Sequence, residues 1–338
     1  MTTIREVAKL AGVAPITVSR VINHTGYIRD ETRQKVESAV NQLGYVPNSL
    51  SQSLRWKQTG MLALVLTDVT NPFWTTVARG AEDAASAAGY HLILCNTDES
   101  PEKQESYLKA LFQKRVDGIL LVPARADLKD IRQARKLRVP LVVLDRRLTE
   151  SLADCVRCDS EAGAYQLTRL LLERGHRNIA LLTGSPQVTT ATDRVSGYRK
   201  ALREAGLNTN REIVFYGAFT LESGLEMARQ VLEMKPRPTA IFAANNFIAL
   251  AVLQALRVAN VRVPDDISVV GFDDLPASLQ VDPVLTVVAQ PAYQMGVLAT
   301  NMLLKKLTGE TDPSDAYQEV VLPVEIVERK SVQVTRIA

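Results

Sequence analysis

The chain contains few of the residues on which metal and redox chemistry depend. Its 338 residues include only three cysteines and three histidines. Cys155 and Cys158 have the C-x-x-C spacing of zinc and thiol–disulfide sites, but no second Cys/His pair lies near them in sequence to complete four ligands. We therefore interpret both as strand residues and expect neither a metal nor a cofactor. An odd number of cysteines also fits a reducing compartment, because at least one thiol has no intramolecular partner.

Long hydrophobic runs and the common catalytic motifs are absent from the sequence as well. No apolar stretch approaches the ~20 residues that a bilayer-spanning helix requires, and no basic, apolar signal segment opens the chain. A P-loop, a G-x-G-x-x-G turn, an H-E-x-x-H helix and a G-x-S-x-G elbow are all missing. These absences predict a cytoplasmic protein with no membrane contact, and they argue against an enzyme.

Basic charge is concentrated near the N-terminus. Residues 1–57 contain eight lysines and arginines and four acidic residues, a net charge of +4, whereas the whole chain carries +3. The other 281 residues therefore carry −1. Binding to DNA phosphates requires such a local basic excess, so the first 57 residues are the candidate DNA-binding region.

The same region has the signals of three short helices. Thr3 and Glu6 form a capping-box pattern, and Gly12 is placed to end the helix that they begin. Pro15 is favourable as the first residue of a second helix, because its missing N–H would have no partner there. A third helix is predicted from about Asp30. Two helices joined by a tight turn and braced by a third are typical of a helix-turn-helix, although a small helical bundle need not bind DNA.

Several longer segments, in the same order along the chain, resemble one family. TIREVAKLAGV at 3–13, TVSRVIN at 17–23 and LGYVPN at 43–48 are similar to the N-terminal motifs of the LacI family of bacterial repressors. NPF at 71–73 and RVSGY at 194–198 extend the similarity over nearly the whole chain, as does DISVVGFDD at 266–274.

The resemblance implies a set of DNA contacts. In this family the second helix lies in the major groove, and a hinge helix after Pro47 orders on operator DNA. Leu54 matches the leucine that two hinge helices insert together into the minor groove, which kinks the duplex. The serines around it leave a plain linker as the alternative, and Ser51 stands where relatives often carry alanine. The implied DNA-binding residues are Thr3, Pro15, Ile16, Thr17, Ser19, Arg20, Asn23 and Leu54.

From Met61 onward, short apolar runs alternate with helical patterns, which predicts parallel α/β sheets. The predicted strands lie near 61–66, 92–95, 118–122, 141–144, 179–182, 212–215, 240–243, 267–271 and 320–322. The predicted helices lie near 73–88, 102–114, 127–137, 161–174, 194–205, 221–234, 246–259 and 292–307. The fold class is therefore α/β. A three-helix helix-turn-helix domain and a hinge helix precede two doubly wound parallel lobes, which resemble the periplasmic sugar-binding fold.

Polar and aromatic residues follow several of the predicted strands. Ligands of parallel sheets bind outside the carboxyl ends of the strands, and carboxylates, amides and an aromatic ring together suit a polyol. Each residue alone is also typical of a turn or a helix cap, so their convergence on one edge is what favours binding. The ligand-contacting positions of the family correspond to Asn71, Phe73, Asp145, Arg194, Phe219, Asn245 and Asp273.

The chain departs from the family pattern beside this site. Relatives usually have Asn-Asp where this chain has Asn245-Asn246, so a carboxylate is missing, and the role left for Asn246 is to cap the following helix. Arg146 and Arg147 weakly favour an acidic ligand such as a sugar acid, although two solvated arginines are the simpler interpretation.

Together these features predict a ligand-responsive transcriptional repressor. We expect it to bind a pseudo-palindromic operator as a homodimer, with a sugar or sugar acid as the effector. Ligand between the lobes would change their angle and shift the DNA affinity by a coupling energy of ~1–3 kcal/mol. A co-repressor-dependent regulator that responds to a non-sugar metabolite such as a nucleobase is the alternative. An enzyme built on the same lobes and a transport-type sugar receptor are weaker hypotheses, the latter because no signal segment precedes the basic domain.

The expected domain organisation follows from these assignments. The helix-turn-helix domain is residues 1–46, the hinge helix and linker 47–60, the first lobe 61–160 with 291–323, and the second lobe 161–290 with 324–338. No leucine heptads occur near the C-terminus. We therefore expect a dimer without the tetramerising tail of some relatives.

Overall fold

The computed structural model describes residues 2–46, 58–124, 128–208, 212–279, 282, 284–310 and 316–335. The chain divides into two compact units, Met1–Thr59 and Gly60–Ala338. The predicted hinge helix falls largely on 47–57 and therefore lies outside the described residues, as does Leu54.

The described part of the N-terminal unit contains three helices around a small apolar core. They are α1 (Ile4–Ala11), α2 (Pro15–Ile22) and α3 (Asp30–Leu43). The predicted capping box is present, since Glu6 N–H donates to Thr3 Oγ1 and the Glu6 carboxylate accepts from the Thr3 N–H at 2.7 Å. Gly12 ends α1 in the left-handed conformation, with φ of 66°. Val7, Val18 and Val36, one from each helix, are fully buried between them.

The second unit contains two six-stranded sheets, and the part built on each is called lobe 1 or lobe 2 below. The strands of lobe 1 are β1 (Met61–Leu66), β2 (His91–Asn96), β3 (Gly118–Leu121), β4 (Leu141–Leu144), β5 (Asp154–Cys158) and β11 (Glu319–Leu322). Those of lobe 2 are β6 (Ile179–Thr183), β7 (Ile213–Tyr216), β8 (Ala240–Ala243), β9 (Ser268–Phe272), β10 (Thr286–Ala289) and β12 (Glu325–Val327).

The two sheets have the same internal order. It is β11-β5-β4-β3-β1-β2 in lobe 1 and β12-β10-β9-β8-β6-β7 in lobe 2, so β1 corresponds to β6, β4 to β9 and β5 to β10. All pairings are parallel except that of β10 with β12. The carboxyl ends of the central strands therefore lie at one edge of each sheet, where loops can form a ligand site.

Within the described residues, eight α-helices cover the sheets. They are α4 (Pro72–Ala87), α5 (Pro101–Lys114), α6 (Lys129–Lys136), α7 (Ser160–Glu173), α8 (Thr189–Glu204), α9 (Leu221–Glu233), α10 (Asn246–Val258) and α11 (Ala292–Thr308). None of the described helices is long and apolar enough to cross a membrane.

Glycines fix how α11, which follows the sheet of lobe 2, packs on lobe 1. A Cβ atom at Gly80 of α4 would lie 2.2 Å from the carbonyl oxygen of Tyr293, and one at Gly296 would lie 2.1 Å from that of Val77. Only glycine permits this approach of the two helix backbones. The chain therefore returns to lobe 1 along a closely packed helix pair.

The predicted strands and helices are present, with three differences. Helix α8 begins at Thr189 rather than near 194, because its first turn contains two threonines and has no side-chain cap to mark it. Strands β10 and β12, of four and three residues, were not predicted because such short runs carry little pattern. The interpretation of Cys155 and Cys158 as strand residues is confirmed, since both lie in β5.

Candidate functional site

A cavity of about 160 Å³ lies between the two lobes, at the carboxyl ends of the strands. It is lined by residues that follow β1, β2 and β4 of lobe 1 and β7, β8, β9 and β10 of lobe 2, together with the start of α8. All seven residues predicted to contact an effector lie on its wall: Asn71, Phe73, Asp145, Arg194, Phe219, Asn245 and Asp273.

Asp145 and Asp273 are two buried carboxyl groups on this wall. Each follows the fourth strand of its lobe, and each has a left-handed backbone, with φ of 66° and 70°. The Asp145 N–H donates to the carbonyl of Val156 at 2.8 Å, and the Asp273 N–H donates to that of Val288 at 2.9 Å. Burial raises the pKa of Asp145 to about 6, against the opposing attraction of Arg146 and Arg194, and burial also raises the pKa of Asp273.

Gln290 fixes the carboxyl group of Asp273. Its Nε2 donates to Asp273 Oδ1 at 2.5 Å, whereas its own Oε1 is buried without a hydrogen-bond partner among the described residues. Gln290 also lines the cavity. Gln290 was not predicted from the sequence, because it follows β10, a strand that was not predicted either.

Arg194 supplies the buried positive charge of the site. It lies on α8 with 4% of its surface exposed, and its Nη1 donates to the carbonyl of Ala244. Its guanidinium carbon lies 3.8 Å from the centroid of the Phe272 ring, so the planar group stacks on an aromatic face. Its Nε is buried and has no hydrogen-bond partner within the described part of the chain.

The amides of Asn71 and Asn245 cap helices as well as lining the cavity. Asn71 Oδ1 accepts from the Phe73 N–H at 2.9 Å, and Asn245 Oδ1 accepts from the Ile248 N–H at 2.8 Å. Asn245 Nδ2 donates to the carbonyl of Phe219 at 3.2 Å. For these two residues the cap and the cavity wall were alternatives in sequence analysis, and both descriptions hold.

Two neighbouring predictions were wrong, and the third, that Arg147 is solvated, holds. Asn246 does not cap α10, because Asn245 holds that position; Asn246 is the first residue of the helix and binds Asn71. Arg146 is not solvated: it is 4% exposed and donates to Glu99 at 2.5 Å and to the carbonyl of Pro123. Arg147 is half exposed and pairs with Asp193 at 3.0 Å. Neither arginine is therefore a free cation for an acidic ligand.

The charged residues on the cavity wall are mostly acidic. Two arginines, at 146 and 194, face five carboxyl groups. These are Asp68, Asp98, Glu99, Asp145 and Asp273. Asp98 and Glu99 were not predicted from the sequence, because they lie beyond β2 in a loop where both have positive φ. A cavity with this balance of charge favours a neutral hydrogen-bond donor over an anion.

The three cysteines are buried free thiols outside the cavity wall. Burial raises the pKa of Cys155 to about 12 and also raises that of Cys158, so neither thiol is activated. Within the described ranges, no group of three or more potential ligand side chains is arranged to hold a metal ion.

In the N-terminal unit the predicted DNA-binding residues lie mainly on one side of α2. Val18 and Val21 are buried, whereas Pro15, Ile16 and Arg20 are exposed. Ile16 has 59% of its surface in solvent, although isoleucine is among the residues most often fully buried.

The other predicted DNA-binding residues that the structure describes are partly buried or already hydrogen-bonded within the protein. Thr17 is half-buried, and so are Ser19 and Asn23, which bind each other at 3.2 Å. Thr3 is exposed, but its hydroxyl group takes part in the cap of α1. Tyr27, in the connection from α2 to α3, is 91% exposed and was not predicted as part of this surface.

A three-helix unit with an exposed second helix, followed by a two-lobed body around a polar cavity, is the architecture of a ligand-binding gene regulator. The model of bacterial regulatory proteins of the lacI family matches residues 3–48. The model of periplasmic binding proteins and the sugar binding domain of the LacI family matches residues 59–326. The chain therefore belongs to the LacI family, whose members are DNA-binding transcriptional regulators and not enzymes.

Individual relatives agree with this assignment. The ribose operon repressor of Halalkalibacterium halodurans is 39% identical over 331 residues, which cover 98% of this chain and 97% of that protein. A complex of the transcriptional regulator CelR with cellobiose is 34% identical, with a TM-score of 0.74, and the match covers 98% of this chain and all of that one. The lac repressor dimer bound to operator and an anti-inducer is 27% identical, with a TM-score of 0.84 over 98% of this chain and 99% of that one. The predicted family and fold class are confirmed.

Proposed function

We propose that this protein is a repressor whose DNA affinity is switched by a neutral, polyhydroxylated molecule of about monosaccharide size, bound between the lobes. The observation that carries the proposal is the pair of buried carboxyl groups, Asp145 and Asp273, on opposite lobes of one cavity. Ionised carboxylates only accept hydrogen bonds, so they suit the hydroxyl groups of a sugar.

The other cavity groups support the same class of ligand. The unpaired Nε–H of Arg194 suits a hydroxyl or ring oxygen, and the unpaired Oε1 of Gln290 suits a hydroxyl donor. Phe73, Trp74 and Phe219 supply apolar surface against which a sugar ring can pack. A volume of about 160 Å³ is below the ~300–1,000 Å³ typical of sites for drug-sized ligands, which favours one sugar ring over a nucleotide.

The charge of the cavity favours a neutral sugar over a sugar acid. An added carboxylate would meet three more carboxyl groups than arginines on the wall, and Arg146 is already paired with Glu99. This excess of carboxyl groups on the wall therefore outweighs the weak preference for an acidic ligand that Arg146 and Arg147 suggest in the sequence. The alternative is a nucleobase acting as co-repressor. It could stack on the aromatic side chains of the cavity, but it offers fewer hydrogen-bond donors to the two carboxylates than a sugar does.

The DNA partner is proposed to be a pseudo-palindromic operator, bound by a homodimer in the cytoplasm. The exposed face of α2 supports major-groove binding, with Pro15, Ile16 and Arg20 directed to solvent. The solved lac repressor relative is a dimer on its operator, and a two-fold protein matches two half-sites. Ligand binding then favours one lobe arrangement, and DNA affinity changes by the difference in ligand affinity between the two arrangements.

A thermal-shift panel tests the effector. Purified full-length protein is mixed with D-ribose, D-glucose, cellobiose, D-gluconate or adenine, with Asp273→Asn as the matched control variant. A true ligand at 100 times its dissociation constant adds about 2.7 kcal/mol to the free energy of unfolding. We expect a neutral monosaccharide to stabilise the protein and not the control. Stabilisation by gluconate or adenine alone would contradict the proposal that the ligand is a neutral sugar. A ligand that binds but leaves operator affinity unchanged would contradict the proposal that ligand binding switches DNA affinity.

A further inference from the structure

Asn71 of lobe 1 and Asn246 of lobe 2 are joined by a reciprocal pair of hydrogen bonds. Asn71 Nδ2 donates to Asn246 Oδ1 at 3.0 Å, and Asn246 Nδ2 donates to Asn71 Oδ1 at 2.9 Å. The two residues are 6% and 1% exposed, respectively. Buried polar groups that lose their partners are costly, so this pair resists separation.

The orientation of the pair is fixed from both sides. Asn71 Oδ1 also accepts from the Phe73 N–H, so the amide of Asn71 cannot rotate without uncapping α4. Asn245 already caps α10, so the side chain of Asn246 is not needed for its own helix. The only described hydrogen-bond partner of the Asn246 side chain lies across the cleft.

A second bridge between the lobes is more exposed. Arg147 pairs with Asp193 at 3.0 Å, and the Arg147 N–H donates to Thr189 Oγ1 at 3.1 Å. The Arg147 side chain is 45% exposed, and ion pairs in contact with water contribute little. The buried amide pair is therefore the stronger of the two links.

We propose that Asn71 and Asn246 form a latch that sets the angle between the lobes and thereby positions the two walls of the effector cavity. Asn71 and Phe73 lie on the wall from lobe 1, whereas Asn245, next to Asn246, lies on the wall from lobe 2. Opening the latch moves these walls apart and weakens binding of any ligand that touches both. The effect on an effector rests on the proposed function, but the lobe angle itself is measurable without one.

Distances between spin labels test the latch in the full-length protein. Labels are placed at Gln133→Cys on α6 of lobe 1 and Arg203→Cys on α8 of lobe 2, both exposed positions, after dilution with unlabelled protein. The three native thiols are buried and do not compete for label. Three variants open the latch: Asn246→Ala, Asn246→Leu, which keeps about the same side-chain volume without a hydrogen-bonding group, and Asn71→Ser, which retains a cap for α4. Asn178→Ser is the control, because its amide bonds to Arg237 within lobe 2.

The three latch variants should give the same result. We expect the ratio of wide to narrow interlobe distances to rise about tenfold, which corresponds to about 1.4 kcal/mol. The control should match the parent. The double variant Asn71→Ser/Asn246→Ala should open no further than either single variant, because both remove the same contact. An unchanged distance distribution in the folded Asn246→Leu and Asn71→Ser proteins, or additive opening in the double variant, would overturn the latch. A negative sugar panel would overturn only the effector assignment.

Discussion

Asp145 and Asp273 occupy equivalent positions in the two lobes. Each follows the fourth strand of its sheet, each has a left-handed backbone, and each donates its N–H to the next strand along, at Val156 and Val288 respectively. The repeated sheet order of the two lobes thus places two carboxyl groups at one cavity. Left-handed backbone costs energy in residues other than glycine, and such strain concentrates at functional sites.

The first prediction concerns the pH dependence of stability. Because burial raises the pKa of Asp145 to about 6, above its unfolded value of 3.8, its favourable contribution is complete below about pH 4 and is lost as the pH rises through 6. In Asp145→Asn this loss is absent. Relative to the parent, the variant should therefore gain about 3 kcal/mol of unfolding free energy between pH 4 and pH 7, measured by urea denaturation.

A matched control has the opposite sign. Arg262 lowers the pKa of exposed Asp266 to about 2, so the contribution of Asp266 is present at neutral pH and is lost on acidification. Asp266→Asn should lose stability at pH 7 and match the parent near pH 2. A pH-independent difference between Asp145→Asn and the parent would show that the carboxyl group of Asp145 is not desolvated.

Short-range signals in the sequence predicted much of this site, and long-range contacts account for what was missed. Strand ends followed by Asp145, Asn245 and Asp273 place polar groups at one edge through local pattern and the parallel topology alone. The burial of Arg146 depends instead on Glu99, 47 residues away, and the partner of Asn246 lies 175 residues away. No local pattern encodes such contacts, because the first exists only after lobe 1 has folded and the second only after the two lobes have packed.

The second prediction concerns Arg194 and the effector. Arg194→Lys keeps the charge but removes the planar group that stacks on Phe272 and the buried Nε–H that has no partner among the described residues. We expect effector affinity, measured by calorimetry with the sugar found in the panel, to fall about 100-fold, while operator affinity without effector stays within twofold. Arg203→Lys, an exposed residue on the same helix, is the control. Equal effector affinity in Arg194→Lys and Arg203→Lys would show that Arg194 does not contribute to effector binding.

The third prediction separates the two units. A fragment that begins at Gly60 keeps the whole two-lobed unit and lacks the basic region. It should remain folded and dimeric by sedimentation, bind the effector as the full chain does, and show no operator binding in fluorescence anisotropy at 100 mM salt. Unchanged operator affinity of the fragment would place the DNA-binding surface on the lobes.

The last prediction concerns how operator sequence is recognised. Arg20 is exposed on α2, one helical turn beyond Ile16, and a guanidinium can donate to guanine O6 and N7 together, which is worth about 1–3 kcal/mol of discrimination. Ile16 has no hydrogen-bonding group, so it can only contact a thymine methyl or exclude other bases. Arg20→Ala should therefore flatten the preference at one base pair in each half-site, and Ile16→Ala should do so at a neighbouring pair.

The measurement is a binding series over operator variants at fixed salt. Leu54→Ala should differ from Arg20→Ala and Ile16→Ala. A minor-groove wedge supports the kinked centre of the operator, so its loss should lower affinity mainly for the intact palindrome. Lys35→Ala is the control, since Lys35 pairs with Glu31 on α3. If Arg20→Ala lowered affinity equally for every sequence and reduced the salt dependence by about one counterion, Arg20 would be a phosphate contact and specificity would have to come from another residue of α2.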